Sequence, residues 1–307
     1  MPAGWTLRFG DGGPAQRNAA VAEAHVLFVM AAPVGSDLIG QARKLRFIQK
    51  LGAGIDRVDQ EACASHGIAL AKLAAGNAVP VAEHTVLLML ACYRRLPLAD
   101  RDTRAGRWGK EEARGVHRQL RGKRIGLVGF GAIGREVADI LSGFKTELVY
   151  YDPMRAAPEV EARLQVRSLP LDDLIATSDI VSLHLPLMPE TANLIDAARI
   201  RRMKRGAVLI NAARGGLVDE AALAAALEDG HLAGAGLDAF SKEPPVGNPL
   251  LSLDTTVVTP HMAGATIDNF GSIIERAVAN AKTYLATGRL PEHDAVLLPD
   301  NPRAATA

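Results

Sequence analysis

The sequence predicts a two-domain α/β protein whose parallel sheets carry helices on both faces. Three observations support this. Short, near-continuous apolar runs alternate with helical patterns along most of the chain, as expected of strands buried on both sides. Hydrophobic residues make up 48% but aromatics only 4%, with 29 glycines and 17 prolines, which suits many strand-to-helix turns. The length, 307 residues, exceeds that of a usual single domain.

The elements follow in order. "HVLFVM" (25–30), "LRFIQKLG" (45–52) and "IALAKL" (68–73) read as strands, separated by "SDLIGQA" and "DQEACASHG", which suit helices. "VAEHTVLLMLACYRRL" (81–96) reads as a long helix, apolar nearly all round and therefore buried between domains or subunits. Charge rises through 99–123, which reads as a boundary and an exposed arm. Beyond it, strands fit "RIGLVGF", "ELVYYD", "IVSLHL", "AVLINA", "GAGLDA" and "TVVTP". The helix "EAALAAALEDG" has Asp219 as N-cap and Gly230 as its stop. A last helix, about 268–287, precedes a Pro-rich tail expected to fray.

Bulk properties narrow the function. Lys and Arg total 35 against 34 Asp and Glu, a net charge of +1, so no global field draws the chain to nucleic acid or an anionic membrane. Eight histidines show no metal-ligand spacing, and no metal is expected. Two cysteines, Cys63 and Cys92, make no disulfide framework and point to a reducing compartment. The N-terminus lacks the basic start and apolar core of a signal peptide, and "TVLLMLACY" is too short to span a bilayer. The expectation is a soluble, cytoplasmic protein.

"IGLVGFGAIGREVADIL" (125–141) places Gly129, Gly131 and Gly134 between a strand and a helix. The first glycine permits a tight turn, the second a close backbone approach to a pyrophosphate, the third close helix–strand packing. The helix N-terminus then offers N–H groups to phosphate. Asp152 ends the next strand, 18 residues beyond Gly134, where an acidic residue binds a ribose diol. Its carboxylate would repel a 2′-phosphate, favouring NAD over NADP; nearby Arg155 leaves dual use open.

Three polar groups follow consecutive strands. Arg214, in "LINAARGG", is an arginine among small residues, suited to clamping a carboxylate or keto acid with its fork. Glu243 precedes two prolines that stiffen its loop, and His261 follows the strand ending at Pro260. Ligands bind outside the carboxyl ends of parallel strands, so the three should converge there. A carboxylate beside the imidazole favours its charged form, which can hand a proton to a carbonyl oxygen while hydride reaches the carbon. Such help is worth roughly 10²–10⁴ in rate. Arg214 would polarise the same carbonyl or clamp the neighbouring carboxylate.

These residues, with "LGAGIDRVD" (51–59), "GNAVPVAEHT" (76–85), "LRGKRIGLVGFGAIGREVA" (120–138), "HLPLMPETANLI" (184–195), "LINAARGGLVDEAAL" (209–223), "GAGLDAFSKEPP" (234–245) and "TPHMAGAT" (259–266), resemble the D-isomer-specific 2-hydroxyacid dehydrogenases. The resemblance implies two Rossmann-like, or flavodoxin-like, domains with the active site in the cleft between them, usually in a homodimer. It implies a discontinuous substrate domain, 1–96 with 284–307, and a dinucleotide-binding domain over 97–283. Arg214, Glu243 and His261 match the family's catalytic residues. Gly52, Ala53 and Gly54 match the loop whose amides hold the substrate carboxylate, shared with Arg214 and His261. Asp238 would sit near the nicotinamide amide, with His184 and Pro186 lining the cofactor groove and Ala132, Ile133, Ala212, His261 and Gly264 completing it.

The implied activity is hydride exchange between NAD(H) and a small 2-keto acid, glyoxylate or hydroxypyruvate first and phosphoglycerate second. The chain stops soon after its last helix, which weakly disfavours phosphoglycerate enzymes with an appended regulatory domain. The contrasting reading is an NAD(H)-sensing, co-repressor-like binding protein. Formate dehydrogenase is a rival within the fold that Glu243 opposes. Elsewhere the residues read plainly. Lys50 suits a solvated strand end, with a substrate phosphate or carboxylate as its other reading. Asn77 reads equally as a turn residue or a substrate contact. Trp108 is expected to anchor the arm by packing, His84 to be a packing histidine, and the cysteines to do no chemistry.

Overall fold

In the computed structural model, residues 2, 4–10, 13–30 and 32–303 are described, with residue 14 by its backbone alone. Part of the expected fraying tail, 304–307, lies outside the described residues.

The chain opens with α1 (Pro14–Ala22), β1 (Val26–Val29), α2 (Ser36–Gln41), β2 (Phe47–Lys50), α3 (Gln60–Ser65) and β3 (Ala69–Ala71). It continues through α4 (Ala78–Tyr93), α5 (Leu96–Arg104), α6 (Lys110–Val116), β4 (Arg124–Val128), α7 (Ala132–Ser142), β5 (Glu147–Tyr151), α8 (Pro158–Leu164) and β6 (Val166–Ser168). Next come α9 (Leu171–Thr177), β7 (Ile180–Leu183), α10 (Ala197–Arg202), β8 (Val208–Asn211), α11 (Glu220–Glu228), β9 (Gly234–Leu237) and β10 (Thr256–Val258). Finally, α12 (Ile267–Thr287) and β11 (Ala295–Leu297) return to the first sheet.

Two compact units result: residues 1–77 with 267–307, and residues 78–266. The expected cuts at 96 and 284 therefore move. Helix α4 packs on α7 and on strands β8 and β9, so it belongs to the second unit, while α12 packs on β2 of the first. Gly236 of β9 makes room for α4: a Cβ there would lie 2.9 Å from the Leu88 Cβ.

In the second unit, seven parallel strands run in the order β10-β9-β8-β7-β4-β5-β6. The order reverses between β4 and β7, the switch point at which open sheets bind ligands. Strands β7, β8 and β9 are buried throughout, which explains their unbroken apolar runs. α11 has the expected cap, with the Asp219 side chain accepting from the Ala222 N–H, and Gly230 turns left-handed beyond it. α4 stops at Tyr93 because Arg95 adopts a left-handed φ of 45° and Pro97 follows. The charged stretch forms α5 and α6, neither with a buried residue. Trp108 is 80% exposed, so within this chain it does not anchor the arm by packing.

In the first unit the order is β1-β2-β3-β11, with β11 antiparallel to β3. The tail expected to fray is instead tied down as far as Arg303. Its N–H donates to the Gly67 carbonyl at 2.9 Å and its Nε to the His66 carbonyl at 3.1 Å. An open sheet edge is a row of unmet backbone groups, and the tail meets them.

Candidate active site

The glycine turn sits at the switch point. Gly129 leaves β4 with φ 95°, and a Cβ there would lie 2.4 Å from the His184 carbonyl oxygen at the end of β7. A Cβ on Gly134 would lie 2.5 Å from the Gly129 carbonyl oxygen, so turn and helix also need glycine where they meet. Gly131 faces open space within 4 Å and N-caps α7 with no capping side chain. The backbone of Ala132, Ile133 and Gly134 in the first helical turn is thus available to an anion. Asp152 accepts from the Phe130 N–H at 2.8 Å and the Met154 N–H at 2.9 Å, tying the end of β5 to the glycine turn. These groups fit a dinucleotide: an uncapped helix end and bare glycine for the pyrophosphate, a carboxylate for the ribose.

Across the switch point, His184 Nε2 lies 2.9 Å from the Ser182 hydroxyl. Its residue surface is only partly covered, yet the ring is packed deeply enough that loss of water contact pushes its pKa down to about 4. At neutral pH it is uncharged. Pro186 beyond it is exposed, and Ala212 and Gly264 are half-buried in the loops after β8 and β10.

His261 and Glu243 meet. His261 Nδ1 lies 2.8 Å from Glu243 Oε1, in a cavity of about 410 Å³ also lined by Asp238, Phe240 and Thr259. The acidic partner fixes the ring: Nδ1–H donates to the carboxylate, leaving Nε2 as the atom for proton transfer. The His261 backbone is left-handed, φ 54°, an uncommon state for a side-chain-bearing residue that its surroundings must impose. Asp238 supplies that constraint. It is 1% exposed and accepts from the Met262 and Ala263 N–H groups, each at 2.9 Å, and from the Thr259 hydroxyl at 2.5 Å. Because the Thr259 proton goes to Asp238, the His84 Nε2–H donates to the Thr259 oxygen, 3.0 Å away. His84 is thus satisfied within the packing, as expected, and also braces the His261 turn from behind.

Arg214 follows β8 in extended backbone. The buried Asn211 side chain holds its carbonyl at 2.7 Å, and Arg214 Nη1 donates to the Ala213 carbonyl at 2.7 Å. A Cβ on Gly215 would lie 1.8 Å from the Phe240 carbonyl carbon, so the Arg214 turn runs directly against the turn leading to Glu243. Arg214 does not line the His261 cavity. Sequence reasoning missed Glu220, which accepts from the Ser241 N–H and the Asn248 side chain, both at 2.6 Å, and so pins the Glu243 loop. Its sequence setting is that of any acidic residue in a first helical turn.

In the first unit, Gly52, Ala53 and Gly54 follow β2, and the Gly52 carbonyl accepts from the Leu73 N–H at 3.0 Å. Lys50 donates its ammonium to the Met30 carbonyl. The Asn77 Oδ1 is buried without a hydrogen-bond partner among the described residues. A buried network unmarked in the sequence spans this region. Asp294, fully buried, accepts from the Ala74 N–H, Arg276 and Asn280; Asn280 donates to Gln49, whose amide holds the Lys50 carbonyl. Cys63 and Cys92 are buried thiols raised by burial to about 11 and about 12. Among the described residues no cluster of three His, Cys, Asp or Glu could hold a metal, and no helix is long and apolar enough to cross a membrane.

Residues 86–263 match the family described as D-isomer specific 2-hydroxyacid dehydrogenase, NAD binding domain. D-3-phosphoglycerate dehydrogenase of Archaeoglobus fulgidus is 39% identical over 270 residues, 87% of this chain and 50% of that protein. The chain spans about half the length of the curated relatives it matches. Among solved structures, NAD-dependent formate dehydrogenase from Staphylococcus aureus in complex with NAD has a TM-score of 0.84 at 29% identity, covering 94% of this chain and 87% of that one. A glyoxylate reductase from Paecilomyes thermophila has a TM-score of 0.81 at 29% identity, covering 91% and 86%.

Proposed function

This chain belongs to the D-isomer-specific 2-hydroxyacid dehydrogenase family, and we propose that it interconverts a small 2-keto acid and its D-2-hydroxy acid. The observation that carries the reading is the His261–Glu243 pair, 2.8 Å apart in its cavity. Hydride chemistry alone needs no proton donor; a histidine oriented by a carboxylate is what reduction of a carbonyl to a hydroxyl requires.

NADH, held by the glycine turn and Asp152, would supply the hydride. As hydride reaches the carbonyl carbon, His261 passes its Nε2 proton to the carbonyl oxygen, and the product is the hydroxy acid. Glu243, still bonded at Nδ1–H, compensates the charge the ring carries before transfer. In the oxidative direction Nε2 takes the hydroxyl proton back. Arg214 is the proposed fork for the keto acid.

Glyoxylate or hydroxypyruvate is the first substrate reading, supported by the glyoxylate reductase neighbour and by Lys50, whose ammonium already serves the Met30 carbonyl. D-3-phosphoglycerate is the second, supported by the names of the curated relatives. The sensor reading has no such support. NADH absorbance followed with glyoxylate, hydroxypyruvate and 3-phosphohydroxypyruvate decides among them. Turnover confined to the phosphorylated acid would select the second reading; tight NADH binding with no turnover on any 2-keto acid would sink the enzyme. We also propose a homodimer, joined through the arm where α5 and α6 have no fully buried residue in their own chain. The two buried free thiols suit the cytoplasm.

A further inference from the structure

Beyond β5, the chain places a cation beside the carboxylate expected to hold the adenosine ribose. Asp152 directly follows the strand and Arg155 comes three residues later. An arginine so placed is the group that accommodates the 2′-phosphate of NADP. Here it is engaged elsewhere. Arg155 Nε donates to Glu161 Oε1 at 3.0 Å and Nη2 to Oε2 at 2.9 Å, a two-point fork on one carboxylate.

Glu161 is itself held from the other side. The Tyr150 hydroxyl donates to Oε1 at 2.6 Å, and the Ala156 N–H donates to the Tyr150 oxygen at 2.9 Å. The Tyr150 ring is fully buried and stacks on Phe130 of the glycine turn, with centroids 4.1 Å apart. The Glu161 side chain is only 15% exposed, whereas that of Arg155 is 72% exposed. A lone surface ion pair would hold an arginine weakly. This one has a rigid acceptor, fixed by a buried tyrosine whose strand leads into Asp152, and bidentate geometry.

We propose that Glu161 is a specificity residue for the cofactor: by clamping the Arg155 guanidinium it withholds that cation from a 2′-phosphate. NAD(H) preference then has two parts, repulsion by Asp152 and sequestration of Arg155 by Glu161. The inference rests on the dinucleotide assignment of the second unit and on nothing about the substrate acid.

The test is equilibrium binding of NADH and NADPH to the full chain, read by nucleotide fluorescence, so a failed search for the substrate leaves it intact. Asp152→Ala removes the repulsion. Adding Glu161→Gln, which keeps an acceptor for Tyr150 but removes the charge, should tighten NADPH by about tenfold further, the worth of one charge-assisted contact. NADH affinity should change less than about twofold. Adding Arg155→Ala to that pair should erase the gain. With Glu161 intact, Arg155→Ala in the Asp152→Ala background should leave NADPH affinity unchanged. No gain from Glu161→Gln, or a gain that survives loss of Arg155, overturns the proposal. So does a large loss from Arg155→Ala while Glu161 is present, an outcome readable even if the Glu161 variants fold poorly.

Discussion

At the scale of the residue, the site is a set of side chains whose partners lie far away in sequence. His261 is oriented by Glu243 and its turn is held by Asp238. On the proposed role of the ring in proton transfer, His261→Ala should lower kcat by about 10²–10⁴ and leave the NADH dissociation constant within about twofold. Stopped-flow turnover with a parallel binding titration checks it, and equal loss of both would make the histidine structural. His184 carries a prediction about pH. Its folded pKa, about 4, is depressed from 6.5, so the unfolded chain binds the proton first. The stability it permits is complete above pH 6.5 and drains away as pH falls towards 4. The loss is on the order of 2 kcal/mol, discounted for the part of the residue that solvent still reaches. Denaturant titrations across that range should show the slope, and His184→Asn should flatten it. The glycine turn and the His261–Glu243 pair were legible because each is tied to a strand–turn pattern that local sequence displays; Arg214 was expected to converge with that pair, and it does not line their cavity. Glu220, Thr259 and Glu161 were not legible, because an acidic or hydroxyl residue says nothing of its partner until the chain is folded.

At the scale of the element, strand and helix positions follow from apolar periodicity wherever an element is buried on both sides, as β7, β8 and β9 are. Two strands escaped that reading. β6 is a three-residue edge strand reading Val-Arg-Ser, and β11 a three-residue strand within a Pro-rich tail. Edge strands bury little and show little pattern. The unit boundary also escaped, because a helix apolar nearly all round announces that it is buried without saying against what. The contact that settles α4 yields a prediction. Gly236→Ala would place a methyl 2.9 Å from both Leu88 Cβ and Ile210 Cδ1. Overpacking of this kind costs about 1–3 kcal/mol. Thermal unfolding should show the loss, and an unchanged midpoint would mean that α4 can lift off the sheet at no cost.

At the scale of the whole molecule, composition and charge directed attention to small ligands. Charge marked the arm as exposed but not its apolar groups, which become visible only in the fold. Leu96, Trp108 and Val116 are 51%, 80% and 42% exposed. If this face joins two copies, Trp108→Glu should shift the species seen by light scattering from dimer to monomer; a wild-type monomer at micromolar concentration would end the proposal. The seam between β3 and β11 carries a consequence for synthesis. The second unit has all its strands in one uninterrupted run, so it can close while the ribosome is still working. The first unit cannot: β3 leaves the exit tunnel with its outer edge bare, and its partner follows more than 200 residues later. At ordinary translation speeds that wait is on the order of 10 s or more, during which the nascent N-terminal sheet is exposed to chaperones and to its neighbours on the polysome.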